Sequence, residues 1–297
     1  MKNFLSRAFV FFAFIVATAP AMAQPAGKVI ETRIVKSTIL ARDVKYTVYL
    51  PADYETSERT YPVVYLLHGY SDDNTGWLQF GEVNRYADQA IAAGTIPPMI
   101  IVMPDGAKSW YINAYDGKES YEDFFINEFM PSIEKTYRIK AEKRYRGIAG
   151  LSMGGFGTLV YALRHPSLFA AAAPLSAAVI DNDGITKMPD NNYENTFGQL
   201  YGRGLKGDAR LSDNWQKYSV LKLVESTPVD ELKKVRYRID CGDDDFLTKG
   251  NCLLHIALTD KKVPHEFRVR DGAHTWTYWR TGITDALKFI GDSFHQY

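Results

Sequence analysis

The pentapeptide Gly150-Leu151-Ser152-Met153-Gly154 constrains this chain more than any other feature, because of what flanks it. Residues 144–149 read as a short strand, and residues 155–164 as a helix with Phe156, Leu159, Val160 and Leu163 on one apolar face. Strand, sharp turn and helix are the setting in which the serine of a G-x-S-x-G string becomes a nucleophile. The turn strains the serine backbone and lifts its hydroxyl clear of the sheet. The neighbouring glycines remove Cβ atoms that would collide with the adjoining strand and helix. Glycine and serine are common, so the string alone is weak evidence; in this setting it predicts an enzymatic serine.

The N-terminus carries Lys2 and Arg7, then an apolar run over residues 8–17, then Ala21-Met22-Ala23. These are the three parts of a secretory signal peptide, which predicts cleavage after Ala23 and a secreted or periplasmic protein. The apolar run is short and Pro20 ends it, which argues against a membrane span. Residues 24–297 are then expected to form a single domain with a substantial core. Removing Lys2 and Arg7 from the 35 basic residues leaves 33 against 35 acidic ones. With a near-neutral balance and no block of Lys or Arg, nucleic acid and anionic membrane are poor partners.

Along the chain, apolar runs alternate with helical patterns, the signature of an α/β fold. Residues 29–37 and 44–50 alternate as an antiparallel edge pair would. Residues 62–67 and 99–103 are continuous apolar runs, as in strands buried on both faces. Further strands are expected at 169–175, 235–241 and 266–269, and helices at 77–93, 121–137, 249–261 and 276–289, with Pro131 kinking or breaking the second helix. Between residues 176 and 214 the pattern fails, with Asn, Asp and Gly dominating. That stretch is expected to be either a lid or binding loop that adds little to the core, or a plain surface insertion.

A serine hydroxyl needs a base and an orienting acid. Of the six histidines, His274 alone follows the last predicted strand, and it is the expected base. The acid belongs on the loop after the strand ending at Cys241, where Asp243, Asp244 and Asp245 stand in a row and chemistry alone does not choose. The oxyanion donors are expected to be the backbone N–H of Met153 and that of Tyr70, with Gly69 letting the backbone turn and His68 supporting the loop. Trp77, Trp110 and Tyr111 follow strand ends on the same side and are expected as aromatic walls of a substrate site, with core packing the alternative. Cys241 and Cys252, the only cysteines, invite a disulfide in an exported protein, against the alternative of free, buried thiols. No metal-ligand spacing and no phosphate-binding glycine loop is evident, so no cofactor is expected.

Four segments together, Leu66-Leu67-His68-Gly69, Gly150 to Gly155, Cys241 to Leu247 and Gly272-Ala273-His274-Thr275-Trp276, resemble the esterase D-like family of esterases. The resemblance spans nearly all of the chain after residue 23 and implies an α/β-hydrolase fold, with a mostly parallel sheet between two layers of helices. The family's Gly-x-x-Asp pattern implies Asp245 as the acid, and the resemblance supports Tyr70 and Met153 as the hole. Trp279 matches an aromatic often found after the histidine and reads as a packing residue. The family includes feruloyl and acetylxylan esterases, S-formylglutathione hydrolases, siderophore esterases and mycolyltransferases. Export disfavours the glutathione-dependent members. The implied partner is an acylated polysaccharide or oligosaccharide, or else a small ester; an inert carbohydrate-binding relative is the alternative of another class.

Overall fold

The computed structural model describes residues 26–294; the expected signal peptide and His295 lie outside the described residues. Eight strands form one sheet: β1 (Lys28–Ser37), β2 (Arg42–Leu50), β3 (Val63–Leu67), β4 (Ile100–Pro104), β5 (Arg146–Leu151), β6 (Ala171–Leu175), β7 (Arg236–Gly242) and β8 (His265–Arg270). Their order is β1-β2-β4-β3-β5-β6-β7-β8. β1 and β2 pair antiparallel at the edge, β2 meets β4 antiparallel, and every later pairing is parallel. This is the α/β-hydrolase arrangement that the sequence implies.

The apolar runs are continuous because each central strand is covered on both faces. Val63, Tyr65 and Leu67 of β3 enter one core, while Val64 and Leu66 enter the other. β4 divides in the same way, with Ile100 and Val102 opposite Ile101 and Met103. The first core packs the helix Met153–Arg164 against the sheet, and the second packs Val83–Ala92 and Trp276–Ser293. Every parallel strand therefore delivers its C-terminal end to one edge of the sheet, where the site is built.

Two expected helices are interrupted. The stretch 77–93 is two helices, Gly76–Gln79 and Val83–Ala92, with Glu82 in the left-handed region between them. The stretch 121–137 contains a π turn, Phe125–Phe129, between Tyr121–Phe124 and Met130–Thr136. Pro131 follows this π turn; the backbone stays helical through Phe129 and Met130, with Met130 N–H donating to Phe125 C=O, so the interruption is a shift of hydrogen-bond register, not a break.

The largest departure concerns residues 176–214, which are mostly helical and well packed. Short helices run through Asn182–Thr186, Asp190–Tyr193, Gln199–Tyr201 and Asp213–Tyr218, with a π turn at Glu194–Gly198. Asp181 caps the first by accepting from Gly184 N–H, and Ser212 caps the last by accepting from Trp215 N–H. Tyr193, Phe197, Tyr201 and Trp215 are buried in the first core. Arg210 sits at the centre, 1% exposed. Its guanidinium donates to the carbonyls of Leu205, Ile185 and Met188 and pairs with Asp190, which ties the segment to itself.

The expectation that this stretch adds little to the core is therefore corrected. Arg210→Ala would leave the carbonyls of Ile185 (buried) and of Leu205 and Met188 (partly buried) without this donor. It should cost about 3 kcal/mol and lower the melting temperature by roughly 6–12 °C, read by thermal denaturation.

Candidate active site

The turn between β5 and its helix holds Ser152 at φ 54 and ψ −115, a region that residues with side chains rarely enter. Two backbone bonds fix it there: Ser152 N–H donates to Leu175 C=O at 3.0 Å, and Ala178 N–H donates to Ser152 C=O at 3.0 Å. The glycines have the expected reason. A Cβ on Gly150 would lie 2.6 Å from the Gly154 backbone, inside any real contact.

β7 and β8 deliver the other two groups. His274 Nδ1 lies 2.8 Å from Asp245 Oδ2, and His274 Nε2 lies 3.0 Å from Ser152 Oγ. Because the carboxylate only accepts, this network puts the imidazole proton on Nδ1 and leaves Nε2 free to accept the serine proton. Of the three consecutive aspartates, Asp245 alone reaches the ring. Asp243 instead accepts from Gly272 N–H at 3.0 Å and Asp244 N–H at 3.1 Å, bracing the loop that carries the histidine. Asp243 and Asp244 bring carboxylates close to that of Asp271, all three exposed.

Asp245 is buried, with 4% of its surface exposed. Burial pushes its carboxyl up, but the bonds from His274 and from Leu247 N–H, with the neighbouring Ser176 hydroxyl, outweigh that and hold it below the usual aspartate range. Behind the pair, Trp279 packs edge-on against His274 with centroids 4.8 Å apart, and its indole N–H donates to Ser176 Oγ at 3.0 Å. Trp279 thus packs as expected and also anchors Ser176, a buried residue at φ 45 that gave no signal in the sequence.

The loop after β3 supplies the facing wall. His68 Nε2 accepts from Gly106 N–H at 2.8 Å, so its proton resides on Nδ1, which donates to Gly69 C=O at 2.7 Å. The Asp105 carboxylate, 3.7 Å from Nε2, is too distant for a hydrogen bond. Gly69 C=O also accepts from Asp72 N–H. In a trans peptide the N–H points opposite to the C=O, so pinning the Gly69 carbonyl aims the Tyr70 N–H the other way. Among the described residues, neither the Tyr70 N–H nor the Met153 N–H finds an acceptor in the protein. Met153 opens the helix, where the dipole favours negative charge. A methyl group on Gly69 would lie 3.8 Å from Ser152 Cβ, which sets this loop beside Ser152.

The three aromatic residues expected as walls are instead structural. Trp77 is fully buried and its indole N–H donates to Leu67 C=O. Tyr111 is fully buried too; its hydroxyl donates to His68 C=O and accepts from His68 N–H. Trp110 is packed between Tyr70, Phe156 and Phe197. The expectation is corrected for Trp77 and Tyr111, which offer no surface to a ligand. Trp110 offers little more, and its role is to back the Tyr70 ring. Cys241 and Cys252 are both free thiols, and burial pushes Cys241 up to about 12, so it stays protonated.

Comparisons with known proteins identify the family of the chain. The family described as "Putative esterase" matches residues 37–290. The chain belongs to this esterase family. An esterase of Mycobacterium tuberculosis is 32% identical over 260 residues, covering 77% of this chain and 52% of its own length. The chain thus spans about half the length of that curated relative. An endo-1,4-beta-xylanase/feruloyl esterase of Xylanibacter ruminicola is 37% identical over 150 residues, which is 48% of this chain and 20% of that protein. Among solved structures, a ferulic acid esterase has a TM-score of 0.78 at 34% identity, covering 91% of this chain and 99% of that one. A fluorophosphonate-binding serine hydrolase of Staphylococcus aureus has a TM-score of 0.75 at 25% identity, covering 89% and 98%.

The Asp245 contacts have a testable consequence. Because its folded carboxyl titrates below the unfolded one, they stabilise the protein wherever the unfolded carboxyl is ionised, above about pH 4. That contribution is lost as pH falls through the lower folded value. Asp245→Asn should therefore melt below the parent near neutrality, with the gap narrowing as pH drops below about 4. A gap that stays constant with pH would mean these contacts do not favour the ionised carboxylate.

Proposed function

We propose that this chain is an exported serine esterase that hydrolyses carboxylic esters through an acyl-enzyme, with Ser152 as nucleophile, His274 as base and Asp245 as the orienting acid. The observation that carries the proposal is the line of contacts Asp245–His274–Ser152 at 2.8 and 3.0 Å. Ser152 Oγ attacks the ester carbonyl carbon as His274 Nε2 takes its proton. The developing oxyanion is met by the N–H groups of Met153 and Tyr70. His274 returns the proton to the leaving alcohol, and water then repeats the sequence to release the acid. None of these steps calls for a cofactor.

The proposed substrates are feruloyl or acetyl esters on plant cell-wall xylan. The ferulic acid esterase likeness over almost the whole of both chains supports this, as does the xylanase-linked feruloyl esterase relative. The N-terminal pattern supports a secreted or periplasmic location, with residues 24–297 as the single catalytic domain. Among the described residues, no helix is long and apolar enough to cross a membrane. A cavity of ≈ 440 Å³ lies between Arg42, Lys118 and Glu119 on one side and Lys108, Gln199 and Arg203 on the other, and none of Ser152, His274, Asp245 and Tyr70 lines it.

A fluorophosphonate probe should label the parent protein at one site, and Ser152→Ala should abolish the labelling without moving the melting temperature. Ser152→Ala and His274→Ala should each lower kcat/KM by a factor on the order of 10⁴ or more, with Asp245→Asn costing less than either. Methyl ferulate, acetylated xylan, a p-nitrophenyl ester series and a catecholate siderophore form the substrate panel. An unlabelled parent would make the chain an inert binder, and preference for the siderophore would replace the cell-wall reading with a small-ester one.

A further inference from the structure

Phe246 is the most exposed large apolar residue described in the protein, at 76%, and it lies against the imidazole of His274 with ring centroids 4.5 Å apart and planes at 50°. An isolated apolar residue on a surface needs no explanation; one held against this imidazole does. Its position is fixed from below. Asp245 accepts from Leu247 N–H at 2.8 Å through Oδ1, and Thr248 N–H donates to Asp245 C=O at 2.9 Å. These bonds close a tight turn on either side of residue 246, with Phe246 at its apex. The turn that presents the acid to His274 therefore pushes the next side chain outward beside the same ring.

We propose that Phe246 is the platform on which the alcohol part of the ester stacks, and that this alcohol is a sugar. The proposal rests on the esterase reading above and goes beyond it in assigning the leaving-group side. When the tetrahedral intermediate collapses, the bond from the carbonyl carbon to the alcohol oxygen breaks. The proton on His274 Nε2 passes to that oxygen, and the acyl group stays on Ser152 Oγ. Transfer requires the alcohol oxygen within about 3 Å of Nε2, so whatever that oxygen carries must lie alongside the imidazole. Phe246 is the exposed aromatic ring packed against that imidazole. A methyl group is too small to cover the phenyl ring, whereas a sugar ring presents a flat face of C–H groups of matching size. Water is removed from both surfaces as they meet.

The test compares a methyl ester and an oligosaccharide ester of the same acyl group in the parent, Phe246→Ala and Phe246→Trp. Phe246→Ala should lower kcat/KM for the saccharide ester by about tenfold and leave the methyl ester within about twofold. Phe246→Trp should restore the saccharide ester. Deacylation, followed as the slow phase after a burst, should be unchanged, because the alcohol has already departed. Equal losses on both esters would make Phe246 a prop for His274 and overturn the proposal, as would no loss on either. A parent inactive on both esters would refute the esterase reading, and the platform with it.

Discussion

The helix that begins at Met153 starts where it does because nothing projects from Gly154. A Cβ there would lie 2.4 Å from the Leu67 carbonyl oxygen at the end of β3, nearer than a carbon and an oxygen approach without bonding. That one close approach brings the helix N-terminus, the strained Ser152 and the loop after β3 into the same few ångströms. The Leu67 carbonyl is itself held by the Trp77 indole, so the surface against which Gly154 packs is fixed in its turn. Backbone strain at Ser152 persists because Leu175 and Ala178 hold both of its backbone polar groups. A larger residue at 154 would lift the helix away, and the Met153 N–H would leave the face that Tyr70 shares.

Polar support around the site follows one rule, that each group facing it is held by a buried hydrogen-bonding partner behind it. His68 settles the Gly69 peptide, and Tyr111 settles His68 by bonding both its N–H and its C=O. Trp279 settles Ser176, which stands next to Asp245. Because these partners are buried, they have little freedom to reorient around Ser152, His274 and Asp245. Fixed dipoles of this kind stabilise developing charge without reorganising at the moment of reaction.

Much of this was legible in the sequence, and the failures have physical causes. The β3 and β4 runs were readable because burial on both faces leaves no polar positions, and His274 because it alone follows the last strand. Asp245 was not separable from Asp243 and Asp244 by residue type. The choice depends on which carboxylate is turned inward, and Leu247 N–H and Gly272 N–H decide that. The stretch after Ser176 read as a loop because Asn, Asp and Gly dominate it. Yet Tyr193, Phe197 and Tyr201 recur at helical spacing, and Asp181 and Ser212 are helix caps, so a signal was present. Trp77 and Tyr111 looked like ligand walls because they follow strand ends. Their polar tips are spent instead on the Leu67 and His68 backbones. Phe246 left no trace, since exposure is a property of the turn around it.

Asp243 has one further consequence. It ties the acid loop to the histidine loop, and β7 and β8 pair beneath them. The Asp245–His274 contact closes 29 residues of chain, whereas the His274–Ser152 contact closes 122. By loop-closure entropy alone the second is dearer by about 1.3 kcal/mol. The last quarter of the chain thus carries both Asp245 and His274 on a local β-α-β unit whose own contacts are short in sequence. Ser152 belongs to the centre of the sheet and is joined to this unit through β6, which pairs with β7. The Ser152–His274 contact therefore spans two parts of the sheet that meet through the β6–β7 pairing.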